Sequence, residues 1–537
     1  METPEINICA EPEIPAPRFT KKHKTAAWCA LAAGFFAVRL TPAASDPLGS
    51  LLLSLGLYLA TSVFIFTEGR SPRIKDIVIP TAATILSFGQ VVSSDPVLRT
   101  ITVLTLCLLY VYWVRSALDP DSEGFPGKLA VFELIRAVFV VALPSMGQLW
   151  PALFSRKKDG SKNTVLWVLL GFAVALVPTA AIVSLLSYDK AFTEILNKFT
   201  SWNIFGTVGQ NVTSVIFGIP VAMFVFALVY GSQKNLRKDV LSPDTCDRVI
   251  SAIRFAPAPL AAAAMTPALL IYVVFFISQK NNYIYALTGL KPNGINYADF
   301  ARDGFFELCA VAAINAVIIL TVSLFTKRVK EKEPLIRTYS AVYSVFTLVL
   351  IATALAKMFL YIREFGLTRL RLLTSCFMIL LAVCFGAVLL AQFIRKIRLA
   401  GVFGIAAILV LASVTLIDTD RIIAEYNVNS YLSGYHEYID VAHFYQLGHG
   451  AVPAAVELWQ SEKTDYATKD EAKYFLENTA WEFRCAAGSK SIFENFFASS
   501  IPASRAKAAL ESAGFSTEPD PNESYGTNEI YDSRFDS

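Results

Sequence analysis

Four charged side chains, Asp299, Arg302, Asp303 and Glu307, run into an otherwise apolar stretch over 297–315, YADFARDGFFELCAVAAIN. At about 100° per residue, they and Phe306 fall within about 140° of arc, so the charges share one face of a helix. Asp299 and Arg302 stand at the mouth of the segment, where water solvates them. Glu307 lies about 12 Å further along the axis than Asp299, at ~1.5 Å per residue. A glutamate is too short to reach water from there. In a bilayer it must be protonated, face a water-filled cavity or meet a cation, because an unpaired acid at that depth costs about 2–3 kcal/mol or more. Such chemistry suits a ligand or proton site, and the competing reading is an ion pair that fixes helix packing.

A second polar cluster occupies ALAKMFLYIREFGLTRLRLLTS, where Lys357, Tyr361 and Glu364 recur at i, i+4 and i+7 and share a face. Gly366 is expected to end one helix, and Thr368 to cap the next. Arg369 and Arg371 then fall in a first helical turn, where the macrodipole disfavours cations by some tenths of a kcal/mol. An acid is expected to compensate them, with Asp299, Asp303, Glu307 and Glu364 as the candidates. Lys357 is close enough to the helix end, about 6 Å, to extend its ammonium to water. Further on, His436, Asp440 and His443 have the spacing of one helical face and form a weak candidate for zinc or another divalent ion. No fourth ligand accompanies them, so a solvated helix face is the expected reading.

The elements that must position these groups are membrane helices. With 54% hydrophobic and 17% charged residues and a mean hydropathy of +0.49, the chain is too apolar for a soluble domain. Apolar runs near 25–40, 47–66, 76–93, 97–117, 163–187, 209–231, 256–280, 300–326, 335–361, 370–395 and 398–418 give eleven expected spans. The fold class is therefore all-α, a polytopic helix bundle with a small helical C-terminal region. Basic residues cluster in the N-terminal tail and in 70–75, 156–162, 234–254, 327–337 and 395–398, which places those loops in the cytoplasm, the N-terminus inside and the C-terminus outside. The segment 128–150 carries Glu133, Arg136, Pro144 and Gln148. Counting it as a span would invert the second half, so it is expected to lie at the cytoplasmic interface.

The expected organisation follows from these runs. A disordered tail over 1–24 precedes a four-span region over 25–117, and a cytoplasmic connection over 118–162 leads to a seven-span core over 163–418. A helical extracytoplasmic region over 419–515 and an acidic disordered tail over 516–537 complete it. Pro178, Pro220, Pro257, Pro259 and Pro267 invite kinks within spans. The connection over 188–208 has apolar residues near helical spacing and is expected along the membrane surface. Capping-box spacings at Thr468 with Glu471 and Ser491 with Glu494 predict helices near 469–485 and 492–498. The eight cysteines show neither a zinc spacing nor a disulfide framework.

The segments YADFARDGFFELCAVAAIN and AKMFLYIREFGLTRLRLL, followed by DTDRIIAEYNVNSYLSG after the last span, resemble bacterial membrane proteins grouped as domains of unknown function, numbers four-one-five-three and four-one-seven-three. The resemblance covers about residues 163–460. It implies an envelope membrane protein and supplies no activity, substrate or cofactor. Arginine often stands in such proteins where this chain has Lys357, which keeps the charge but loses the bidentate fork.

No P-loop, GxGxxG, HExxH, GxSxG or zinc deaminase signature occurs, so no catalytic motif argues for an enzyme. The leading expectation is a carrier, or a protein handling lipid or small solutes, in the inner membrane, with the bilayer as partner, no cofactor and no nucleic acid. The alternatives are a sensor or scaffold whose C-terminal region binds an envelope partner, and a membrane-embedded envelope enzyme.

Overall fold

A computed structural model describes residues 19–40, 47–67, 74–118, 130–154, 206–234, 245, 248, 251–288, 305–327, 333–394, 397–489 and 500–518. Apolar runs of about twenty residues close all their backbone hydrogen bonds internally when helical, which is what a bilayer demands. The described residues are accordingly helical, apart from loops and one isolated parallel bridge between Ala256 and Thr326. The helices are α1 (Lys21–Leu40), α2 (Pro47–Thr67), α3 (Ile74–Val92), α4 (Pro96–Leu118), α5 (an interrupted helix over 130–154) and α6 (Gly206–Gln233). Then follow α7 (Ala258–Thr288), α8 (Phe305–Phe325), α9 (Glu333–Phe365), α10 (Arg369–Phe393) and α11 (Leu399–Leu416). Beyond the last apolar run come α12 (Thr419–Leu432), α13 (His443–Leu447), α14 (Val452–Gln460), α15 (Tyr466–Ser489) and α16 (Ile501–Ser512). Nine helices among the described residues are long and apolar enough to cross a membrane, and Ile77–Val92 is a shorter apolar helix. The chain is an all-α polytopic membrane protein.

One of the nine is 132–154, the stretch expected to lie on the surface. Its helix widens into a π segment, Arg136–Ala142, directly before Leu143-Pro144 and then tightens into a 3-10 turn at Met146–Gln148. Proline has no N–H to give and its ring crowds the carbonyl four residues back, so the turn before Pro144 opens. The prolines of 257–267, expected to kink a span, do not all lie inside one. Pro257 precedes α7 and Pro259 is its second residue, where a missing N–H costs nothing; Pro267 alone lies inside α7. Pro220 lies inside α6, and Pro178 falls outside the described residues.

The chain divides into two compact units, one of residues 1–38 and 141–234 and one of 39–140 and 235–537. In the first, α1 and α6 approach so closely that a Cβ on Gly34 would lie 2.2 Å from the carbonyl oxygen of Gly218, so only glycine fits that crossing. In the second, α7, α8, α9 and α10 bury Met265, Tyr272, Ala312, Tyr343, Leu350 and Phe385 around one polar thread. The Tyr272 hydroxyl donates to Asn315 Oδ1 at 2.5 Å, and Asn315 Nδ2 donates to Thr347 Oγ1 at 2.9 Å. The same unit holds the C-terminal core, built from Ile423, Val428, Phe444, Leu458, Phe475 and Leu510. That core also contains Leu367 from the α9–α10 turn, with Ile362 and Leu372 packed on it. The C-terminal helices are thus packed onto the end of the membrane bundle.

α15 begins at Tyr466 because the Asp465 side chain accepts from the Thr468 N–H at 3.0 Å. The cap is therefore Asp465 and not Thr468. The segments 163–187, 188–205 and 492–498 lie outside the described residues.

Candidate functional site

Three helix starts meet at one end of the bundle, and each brings a positive macrodipole end and unpaired N–H groups. Acids answer two of them locally. Asp95 precedes Pro96 and accepts from the Val97 N–H at 2.8 Å, capping α4. Asp418 caps α12 by accepting from the Arg421 N–H, and Asp420 falls in the first turn of the same helix. The third start, α10, is capped by Thr368 as expected, and Gly366 ends α9 at a φ of 74°. Arg369 adds a cation where the dipole is already positive.

Arg369 is compensated from elsewhere than expected. Its Nε and Nη2 donate to the two carboxylate oxygens of Asp420 at 2.5 and 2.8 Å, the fork geometry in which arginine binds carboxylate best. An Asp95 oxygen lies 3.9 Å from the same Nε. Asp420 is 1% exposed and Asp95 4%. Arg99, one turn into α4, donates to the Ser93 carbonyl at 2.8 Å and is drawn electrostatically to Asp95 and Asp420. Arg505 of α16 lies 3.4 Å from Asp418. The cluster joins α4 and α10 of the bundle to α12 and α16 of the C-terminal region.

Burial dominates the titration of these groups. It pushes the carboxyls of Asp420 and Asp418 above the usual carboxylate range, with Arg369 pulling Asp420 back and the Arg421 N–H pulling Asp418 back. His443 and His449 are pushed below the usual histidine range, again first by burial. Arg99 adds to the shift at His449, while Asp440 opposes the one at His443. His449 stacks on Phe483 with ring centroids 4.8 Å apart. Gly450, next in the chain, lies against α12, and a Cβ there would fall 2.7 Å from Asp420 Cβ.

Arg371 takes a different partner again. Its Nη1 donates to the carbonyls of Phe365 and Gly366 at 2.8 and 2.5 Å, and its guanidinium lies 4.1 Å above the Tyr361 ring. The negative end of α9 therefore answers the cation that opens α10, and no carboxylate is needed. Glu364 is exposed. Lys357 is buried in α9. Asp299, Arg302 and Asp303 lie outside the described residues, and of Glu307 only its place on α8 is described.

His436, Asp440 and His443 do not form a helical face. His436 and Asp440 lie in the loop between α12 and α13, and the His436 ring nitrogen Nε2 pairs with the Arg363 carbonyl at 2.8 Å. Gly434, at a φ of 74°, ends α12 and breaks the expected period. Among the described residues, no three histidine, cysteine or acidic side chains are grouped to hold a metal.

The residues that form the joint carry local signals in the sequence. Asp95-Pro96 is an N-cap followed by proline at the first helical position, and Asp418-Thr-Asp420 opens a helix directly after the last span. Their convergence on Arg369 comes from packing between segments far apart in sequence.

Fold and site together define an integral membrane protein whose C-terminal helices are pinned to the bundle by buried charge. The family described as Domain of unknown function (DUF4153) matches residues 79–458, well over half of the chain, and the chain belongs to it. The match begins earlier than the resemblance read from the motifs and takes in Asp95 and Arg99 as well as Arg369 and Asp420. No curated protein and no solved structure matches the chain.

Proposed function

We propose that this protein is a sensor or scaffold of the bacterial inner membrane, in which the C-terminal helices face outward and change state together with the bundle. The observation that carries this reading is the Arg369–Asp420 pair: both carboxylate oxygens are taken, the acid is 1% exposed, and the pair bridges a span to the C-terminal region. A closed, satisfied pair couples the packing of two regions and leaves no free group to exchange a solute. The carrier reading rests on Glu307 opening onto a cavity and gains nothing from this joint. Orientation is inferred from the basic loops. The crossing of 132–154 is opposed by the basic residues at 156–162, which belong on the same side as the N-terminal tail. An impermeant maleimide should label Glu471→Cys in intact cells, and labelling only after the cells are opened contradicts the orientation.

Hydrogen exchange on the full chain in nanodiscs tests the coupling. Asp420→Asn should raise exchange both in the span ends near 96–102 and 369–375 and in the C-terminal helices over 419–460. A rise confined to the first turn of α12 would overturn the reading.

A further inference from the structure

The α9–α10 turn carries two arginine–tyrosine pairs that the joint does not use. Arg371 lies over Tyr361, and Arg363 donates from Nε to the Tyr435 hydroxyl at 2.5 Å while its carbonyl holds the His436 ring. The Arg363 contacts fasten the loop over 433–440 to the last turn of a membrane-length helix. The loop cannot rotate away, because Ile439 is buried in the C-terminal core while its neighbour Tyr438 is 74% exposed. Leu370, at the start of the next span, is 67% exposed. Exposed tyrosine and arginine therefore stand at the level where an apolar, exposed helix surface ends, and amphipathic rings are most stable at that depth of a bilayer. Glu364, Glu437 and Asp440 are exposed beside them, so the surface offers both signs of charge.

We infer that the loop over 433–440 and the α9–α10 turn form a collar resting in the headgroup layer, with Arg363 directed to lipid phosphate and Tyr438 inserted among zwitterionic headgroups. The acids meet the ammonium of such headgroups, whereas a purely anionic surface would repel them. This contact is separate from the buried pair of Arg369 and Asp420. It concerns where the region rests on the bilayer.

The full chain carrying Tyr438→Trp, reconstituted in nanodiscs of zwitterionic phospholipid brominated near the headgroup end of the chains, reads the depth directly. The added emission, taken as the difference from the parent chain, should fall by about half or more, and less when the bromine is placed deeper. Arg363→Gln should weaken the quenching. Tyr438 is so exposed that the melting transition should not move, which separates loss of contact from loss of fold. No added quenching in a variant of normal stability would overturn the collar. So would quenching seen only in anionic lipid, or quenching relieved by inorganic phosphate, which would assign the arginine to a solute anion.

Discussion

Removing one partner of the Arg369–Asp420 pair should cost far more than replacing both. Asp420→Asn keeps the shape of the side chain and deletes the charge, which strands a guanidinium whose side chain is 27% exposed. Breaking a buried pair from one side costs about 3–5 kcal/mol. Partial exposure of Arg369 and the Asp95 oxygen 3.9 Å away both soften the loss, which argues for the lower end, about 3 kcal/mol. For a region of roughly a hundred residues, where 1 kcal/mol moves Tm by about 4–8 °C, that is a fall of more than about 10 °C. The apolar double replacement, Arg369→Met with Asp420→Leu, should recover most of it. The assay is thermal unfolding of the full chain in detergent, followed by a probe in the C-terminal helices. An Asp420→Asn variant within about 2 °C of the parent, or a double variant no better than the single one, would refute the reasoning, since the pair would then be carrying no buried charge.

Gly450→Ala should destabilise by about 1–3 kcal/mol through overpacking against Asp420 Cβ and the Arg421 nitrogen, whereas Gly386→Ala, with open space around it, should be neutral or stabilising in the same melt. The histidine contribution to stability should fall between pH 7 and 5. His443 and His449 have folded values below their ordinary 6.5, so their contribution is complete above that value and is lost as pH falls towards the folded one. Asp418 and Asp420 are raised from 3.8 and act with the opposite sign, contributing fully only below that value and losing it as pH rises through the folded one. The stability difference between the parent and a double His443→Gln, His449→Gln chain should fall from pH 7 to 5, and a difference that rises on acidification would contradict the assignment. Asn315→Leu should cost about 1 kcal/mol in a membrane-phase unfolding measurement by stranding the Tyr272 hydroxyl, and adding Tyr272→Phe should restore much of it.

Periodicity and composition made the helices legible, because a bilayer admits little else and the apolar runs have the length it requires. Local caps were legible for the same kind of reason: Gly366 and Thr368 act within three residues of themselves, and both do what their types suggest. The partner of Arg369 was not legible. Asp95, Arg369 and Asp420 are brought together by the packing of α3, α4, α10 and α11, including a glycine contact at Gly89 against Thr415, and no spacing rule encodes that. The macrodipole at the start of α10 predicts that Arg369 and Arg371 need compensation, but it does not say from where. One arginine reached across the fold to Asp420 and the other turned back onto the carbonyls of the helix before it. The histidine face failed because Gly434 stops α12 before the spacing can apply.

The most direct test of the joint is a cryo-electron microscopy map of the full chain in a nanodisc at side-chain resolution. The account predicts the Arg369 guanidinium bidentate on Asp420, with Asp95 beside it and Asp420 shut off from solvent. Density showing Asp420 open to solvent, or α12 lifted away from the start of α10, would contradict it.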